Sequence, residues 1–198
     1  MPPSPRAVRT ARWLLWPVAA TATLALVGQA SYATFSSKVS NSGNSLSVGT
    51  VTLSDDDSGS ALLSLTNLKP GSSGSRCVAV TSTGSLPSSV KLYATDVATT
   101  KGLGGYVTLT VTQGTGASFG SCTGFTALAS GSAVYSGTVT ALSTAATGYG
   151  NGVGSWSPTG TASETRSFQI AYVVSTTTPD SAQGGTAAFG LTWEAQNT

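Results

Sequence analysis

The sequence predicts an all-β protein, a two-sheet β-sandwich of jelly-roll-like form, and three observations carry that expectation. From residue 46 onward apolar residues recur with a period close to two, the pattern of strands with one face in a core and one in water. The runs are divided by clusters of Gly, Ser, Asn, Asp and Pro, such as Asp55-Asp56-Asp57-Ser58-Gly59 and Lys69-Pro70-Gly71, which favour turns. Of the 198 residues 39% are hydrophobic and only 8% charged. That is enough apolar material for one core beneath a skin of Gly, Ser and Thr, and too much for a disordered chain.

At the N-terminus, Arg6, Arg9 and Arg12 form a positive segment with no acidic neighbour. An apolar run over 13–27 follows, interrupted only by Pro17, Thr21 and Thr23, and Gly28 and Gln29 end it. Ser31 and Ala33 then supply the small residues of a cleavage site between Ala33 and Thr34. This is the layout of a cleavable secretory signal peptide over residues 1–33. The apolar run is about 15 residues, short of the roughly 20 needed by a retained membrane anchor. Nine basic and seven acidic residues give the precursor a charge of +2; without the three arginines six face seven, a net −1. A mature chain so near neutrality repels its own copies weakly, which permits self-association.

Residues 34–45 read as an extended N-terminal segment with Phe35 and Val39 as its apolar residues and Asn41-Ser42-Gly43-Asn44 as a hinge-like turn. Such a strand pairs within its own sheet or adds to the edge of a neighbouring copy, and the residues alone leave both open. Residues 46–198 are expected to form one sandwich domain of seven or eight strands. Short runs fall at 46–54, 60–66, 76–83 and 89–95. Longer ones set Val107, Leu109 and Val111 against Thr108, Thr110 and Thr112, and Phe168, Ile170, Tyr172 and Val174 against Ser167, Gln169, Ala171 and Val173. The last sets Ala187, Phe189, Leu191 and Trp193 against Ala188, Gly190, Thr192 and Glu194. Residues 138–147 break the alternation and predict one short helix, and 148–160 reads as a long loop holding Trp156.

Two cysteines in an exported chain, Cys77 and Cys122, most simply form one structural disulfide. The chain has no histidine, which removes the commonest zinc ligand and the usual general base for a Ser or Cys nucleophile. Its few basic residues do not build a nucleic-acid groove. No cofactor is expected.

Several stretches together resemble the TasA/camelysin family of exported bacterial matrix proteins. Ser31-Tyr32-Ala33-Thr34-Phe35-Ser36 is similar to that family's processing site, and Gly49-Thr50-Val51-Thr52-Leu53-Ser54 to its G-T-x-x-L-S strand. Leu65-Thr66-Asn67-Leu68-Lys69-Pro70-Gly71 resembles its L-x-N-L-K-P-G turn, the most specific match, and Thr83-Gly84-Ser85-Leu86 its N-G-S-L segment. Gln183-Gly184 and Phe189-Gly190-Leu191-Thr192-Trp193-Glu194-Ala195 resemble its closing Q-G and F-x-F-E-A strand. The resemblance implies a jelly-roll-like domain, export by the general secretory route, processing by a dedicated type I signal peptidase, and a fibre-forming structural role in the biofilm matrix. The cysteine pair is not part of that pattern, and the chain carries less charge than typical members.

The expected function is therefore that of a secreted structural protein of the matrix or cell surface. Phe35 and Val39 would act in an assembly strand that joins subunits, with self as the main partner and matrix polysaccharide as a possible one. The alternatives are a camelysin-like secreted metallopeptidase and a carbohydrate- or surface-binding module. The first is disfavoured because no H-E-x-x-H motif exists without His. Asp55, Asp56 and Asp57 are a weak candidate for Ca²⁺; the plainer reading is a solvated turn. Glu164 and Arg166 share a strand face and read as an exposed ion pair. For the binding module, Tyr93, Tyr106, Tyr135 and Trp156 are the aromatics to be tested for exposure; the plainer reading has Trp156 and Tyr149 covering a sandwich end. No enzyme activity is expected. The chain stops at Thr198 without an apolar tail, so covalent wall anchoring is not expected either.

Overall fold

Alternation along the strands decides how this chain layers. Val107, Leu109 and Val111 are buried while Thr108 and Thr110 between them are exposed, as half-buried strands require. The computed structural model describes residues 36–39, 50–59, 62–63 and 68–198, with the backbone alone for 36–39. The signal peptide, the Ala33–Thr34 cleavage site and Phe35 lie outside the described residues, as do the side chain of Val39, residues 46–49 of the run expected at 46–54 and most of the run expected at 60–66.

Ten strands are described: β1 (Ser36–Val39), β2 (Leu53–Asp55), β3 (Ser73–Ser82), β4 (Ser88–Thr99), β5 (Val107–Thr115), β6 (Thr126–Ala127), β7 (Ala133–Thr138), β8 (Val153–Trp156), β9 (Glu164–Val174) and β10 (Ala187–Asn197). One sheet has the order β1-β10-β4-β8; the other has the order β2-β3-β9-β5, with β6 and β7 both paired to β5. Every pairing is antiparallel. The chain crosses between sheets from β3 to β4, β4 to β5, β7 to β8, β8 to β9 and β9 to β10. Those crossings knit the strands into a two-sheet sandwich, in keeping with the jelly-roll-like form expected.

The core lies between the inner faces. Phe168 of β9 stands between Trp156 and Trp193, with ring centroids 6.3 and 5.2 Å away, in tilted arrangements that favour the ring quadrupoles. The helix expected near 138–147 is α1, Val139–Ala145. Thr138 caps it, its Oγ1 accepting from the Ala141 amide at 3.1 Å, which satisfies a donor that the helix start leaves free. Val139, Leu142 and Ala146 are buried, and the Ala94 amide donates to the Ala146 carbonyl at 3.0 Å, so the helix seals an end of the sandwich beside β4.

One expectation is corrected. Residues 148–160 are not a long loop: a 3-10 turn, Tyr149–Asn151, leads into β8, which pairs with β4. A four-residue strand that follows Gly152 and contains Gly154 is too short for its alternation to show in sequence.

Candidate functional site: the β10 edge and the acidic cleft beside it

The N-terminal strand sits on its own sheet. β10 runs against β4 from Ala187↔Thr99 to Asn197↔Ser88. On its other side it holds β1, in the register Ser36↔Gln196, Ser37↔Ala195, Lys38↔Glu194 and Val39↔Trp193. Residues directly opposite share a sheet face. Ser37 and Val39 therefore belong to the face of Trp193 and Ala195, which is the core face. Ser36 and Lys38 belong to the face of Glu194 and Gln196. Of the two arrangements the sequence leaves open for this segment, the intramolecular one is present here.

The outer face of β10 carries a buried polar group. Glu194 is 3% exposed. The Tyr93 hydroxyl donates to its Oε2 at 2.8 Å, and Gln196 Nε2 donates to its Oε1 at 3.1 Å. Burial first, and then the bond and charge of Glu194, push the Tyr93 phenol well above its ordinary range. Tyr93 thus lies on the outward face, as its parity requires, but is only 4% exposed. Its ring runs along β10 from Thr192, its register partner, towards Glu194. Lys91, the β4 partner of Glu194, sends its Nζ to the Gly154 carbonyl at 2.6 Å, towards β8.

Beside this edge is a cleft of about 180 Å³ lined by Asp55, Asp57, Leu62, Leu63, Asp96, Phe189, Leu191 and Trp193, among others. A β-bulge shapes it. Thr95 pairs with Gly190 and Ala98 with Ala188, so Asp96 and Val97 oppose Phe189 alone. Asp96 has a φ of 51°, a left-handed conformation that Asp tolerates better than most residues. Glycine at position 190 leaves room for Thr95, since a Cβ there would lie 2.6 Å from Thr95 Oγ1.

The three consecutive aspartates do three different things. Asp55 faces the cleft, and burial, then the bond and charge of Asp57, push its carboxyl up to about 6. Asp56 continues the ladder where β2 stops: Oδ1 accepts from the Ala79 amide at 2.9 Å and Oδ2 from the Phe119 amide at 2.7 Å. Asp57 is buried and accepts from the Gly59 amide at 2.7 Å, closing the turn. The segment after Asp55 is a turn, as expected, with Asp56 exposed but Asp57 buried rather than solvated, and Asp56 is directed away from the other two carboxylates by its amide partners. Among the described residues, no group of three or more His, Cys, Asp or Glu side chains could hold a metal ion.

Cys77 and Cys122 form the expected disulfide, with Cα atoms 5.1 Å apart. It fastens the segment after β5 to β3, helped by the Gly120 amide donating to the Cys77 carbonyl at 2.9 Å and by Asp56. Other expectations change. Trp156 is 4% exposed and belongs to the core, with the Arg166 guanidinium 5.8 Å from its ring centroid. Tyr135 is half-buried and donates to the Thr138 carbonyl, and Tyr149 donates to the Ser89 carbonyl at 3.0 Å. Glu164 is held by the Thr159 hydroxyl and amide rather than by Arg166; these bonds keep its carboxyl below the usual range, with Arg166 contributing less. Sequence reasoning missed the role of Glu194. The one signal was a carboxylate inside the apolar run that ends in Trp193-Glu194-Ala195.

Fold and edge together define a jelly-roll-like β-sandwich closed on one side by its N-terminal strand. Residues 16–103 match the family model described as camelysin metallo-endopeptidase, so this part of the chain is similar to the TasA/camelysin family. No curated protein matches it. Two of the motifs that carry the resemblance meet in space: Lys69-Pro70 and Gln183-Gly184 line one cavity of about 80 Å³ together with Leu103. The closing-strand motif is β10 itself.

Proposed function

We propose that the protein is a secreted structural subunit of the extracellular matrix or cell surface that assembles through its N-terminal strand. Signal-peptide removal frees residues 34–45, and the strand of one copy takes the β10 edge of the next. The observation that carries this reading is the pairing of β1, a four-residue strand at a sheet edge. A strand that leaves its own sheet is replaced by an identical one with the same backbone bonds, so exchange between copies costs little in contacts. Phe35 and Val39 would supply the apolar side chains of the donated strand. A charge near zero lets copies approach. Export, the signal peptidase and contact with matrix polysaccharide belong to this same reading.

Deleting residues 34–45 from the mature chain tests it. The shortened protein should keep its β-sheet circular dichroism and fail to form filaments at concentrations where the mature chain does. Unchanged assembly would refute strand donation.

The family description raises a second reading, a metallopeptidase. The donor set does not fit a zinc-type centre: the chain has no histidine, its cysteines are joined in the disulfide, and both oxygens of Asp56 are taken by backbone amides. The carbohydrate-binding reading loses Trp156, its largest stacking candidate, to the core.

A further inference from the structure

We propose that Glu194 selects the strand that occupies the β10 edge by requiring a cationic side chain at the position opposite, which Lys38 fills, and that the chain thereby recognises a second copy of itself. The inference rests on the strand-exchange reading for the identity of that partner, and on the register and the surroundings of Glu194 for the selection.

Four observations carry it. Glu194 is 3% exposed, and a carboxylate so deeply placed is costly unless hydrogen-bonded and balanced by positive charge. Tyr93 and Gln196, which donate to it, are neutral and belong to the body of the sheet. Lys91, in register on the β4 side, directs its ammonium to the Gly154 carbonyl instead. Lys38 stands opposite Glu194 on the β1 side, with Ser36 and Ser37 opposite Gln196 and Ala195. Backbone bonds along an edge accept any sequence, whereas a buried carboxylate facing the third position of a four-residue strand does not. A strand shifted by one residue would set Ser37 or Val39 there and leave the carboxylate uncompensated, so the same residue fixes register.

A charge exchange in the mature chain tests this. Lys38→Glu and Glu194→Lys should each abolish filaments, and the double variant should restore them. Mixing the two single variants should also give filaments, because each then offers the strand that the other accepts. Single variants that assemble like the unmodified chain would overturn the proposal.

Hydrogen exchange at the amides of 36–39 and 193–196 in the monomer separates this from the assembly reading. Each single variant should lose protection about tenfold or more, and the double variant should regain it. If the unmodified chain forms no filaments, the fibre reading fails, while loss and recovery of protection would still uphold the pairing. Unchanged protection in Lys38→Glu would overturn it. Should Glu194→Lys not fold, Glu194→Gln keeps the shape without the charge. In that background Lys38→Glu should change protection by less than about twofold, and a full tenfold loss there would contradict a charge requirement.

Discussion

Tyr93 and Glu194 meet across the β4–β10 pairing, the phenol donating to the carboxylate at 2.8 Å with both side chains at least 96% buried, since they are 4% and 3% exposed. The two residues lie 101 apart in sequence. Their bond ties the strand that receives β1 to the middle of its sheet and fixes where the carboxylate points.

Tyr93→Phe removes one buried hydrogen bond to the carboxylate. We expect a loss of about 1–3 kcal/mol, read as a lower urea midpoint at unchanged slope. Protection of the 36–39 amides should fall more than protection of β5 and β9.

Asp55 gives a pH signature. Its carboxyl rises from the ordinary 3.8 to about 6 through burial, then the bond and charge of Asp57. Between those values the folded state holds a proton that the unfolded chain has released. The stability this contributes is complete below about pH 3.8 and is lost as pH rises through about 6. Thermal melts from pH 4 to 7 should show the decline, and Asp55→Asn should flatten it.

The disulfide spans 45 residues, so replacing both cysteines with serine should cost roughly 4 kcal/mol on the loop-entropy account. Hydrogen exchange should rise first around residues 117–124, which Cys77, Asp56 and Ser167 hold in place.

Gly190→Ala would push a Cβ to within 2.6 Å of Thr95 Oγ1. The Thr95 side chain would have to give, breaking its bond to Thr192, or the bulge would shift, at a cost of about 1–3 kcal/mol. Chemical shifts should change at Asp96, Val97 and Phe189 and stay fixed in β5.

Much of the fold was legible because the long strands alternate cleanly. Val107, Leu109 and Val111 announce a buried face, and so do Phe168, Ile170 and Val174. The helix after Thr138 was legible from the break in that alternation. β8 was not: it is four residues among glycines, and only its place beside β4 buries Trp156. Tyr93 shows the limit of parity, which gives the face but not what a long ring does once there. The site was less legible still. Asp55, Asp56 and Asp57 are adjacent in sequence, yet Asp56 turns away to backbone amides while Asp55 and Asp57 meet at the cleft. Glu194 and Lys38 come together only through a register set by the whole sheet, and no spacing along the chain encodes it.

The most direct test of the central claim is negative-stain microscopy with light scattering on protein starting at Thr34. It should be compared with protein carrying a blocked N-terminal extension. We predict filaments from the first and monomers from the second, because only a free N-terminal strand can reach the β10 edge of a neighbour. Monodisperse monomer from both would contradict the account.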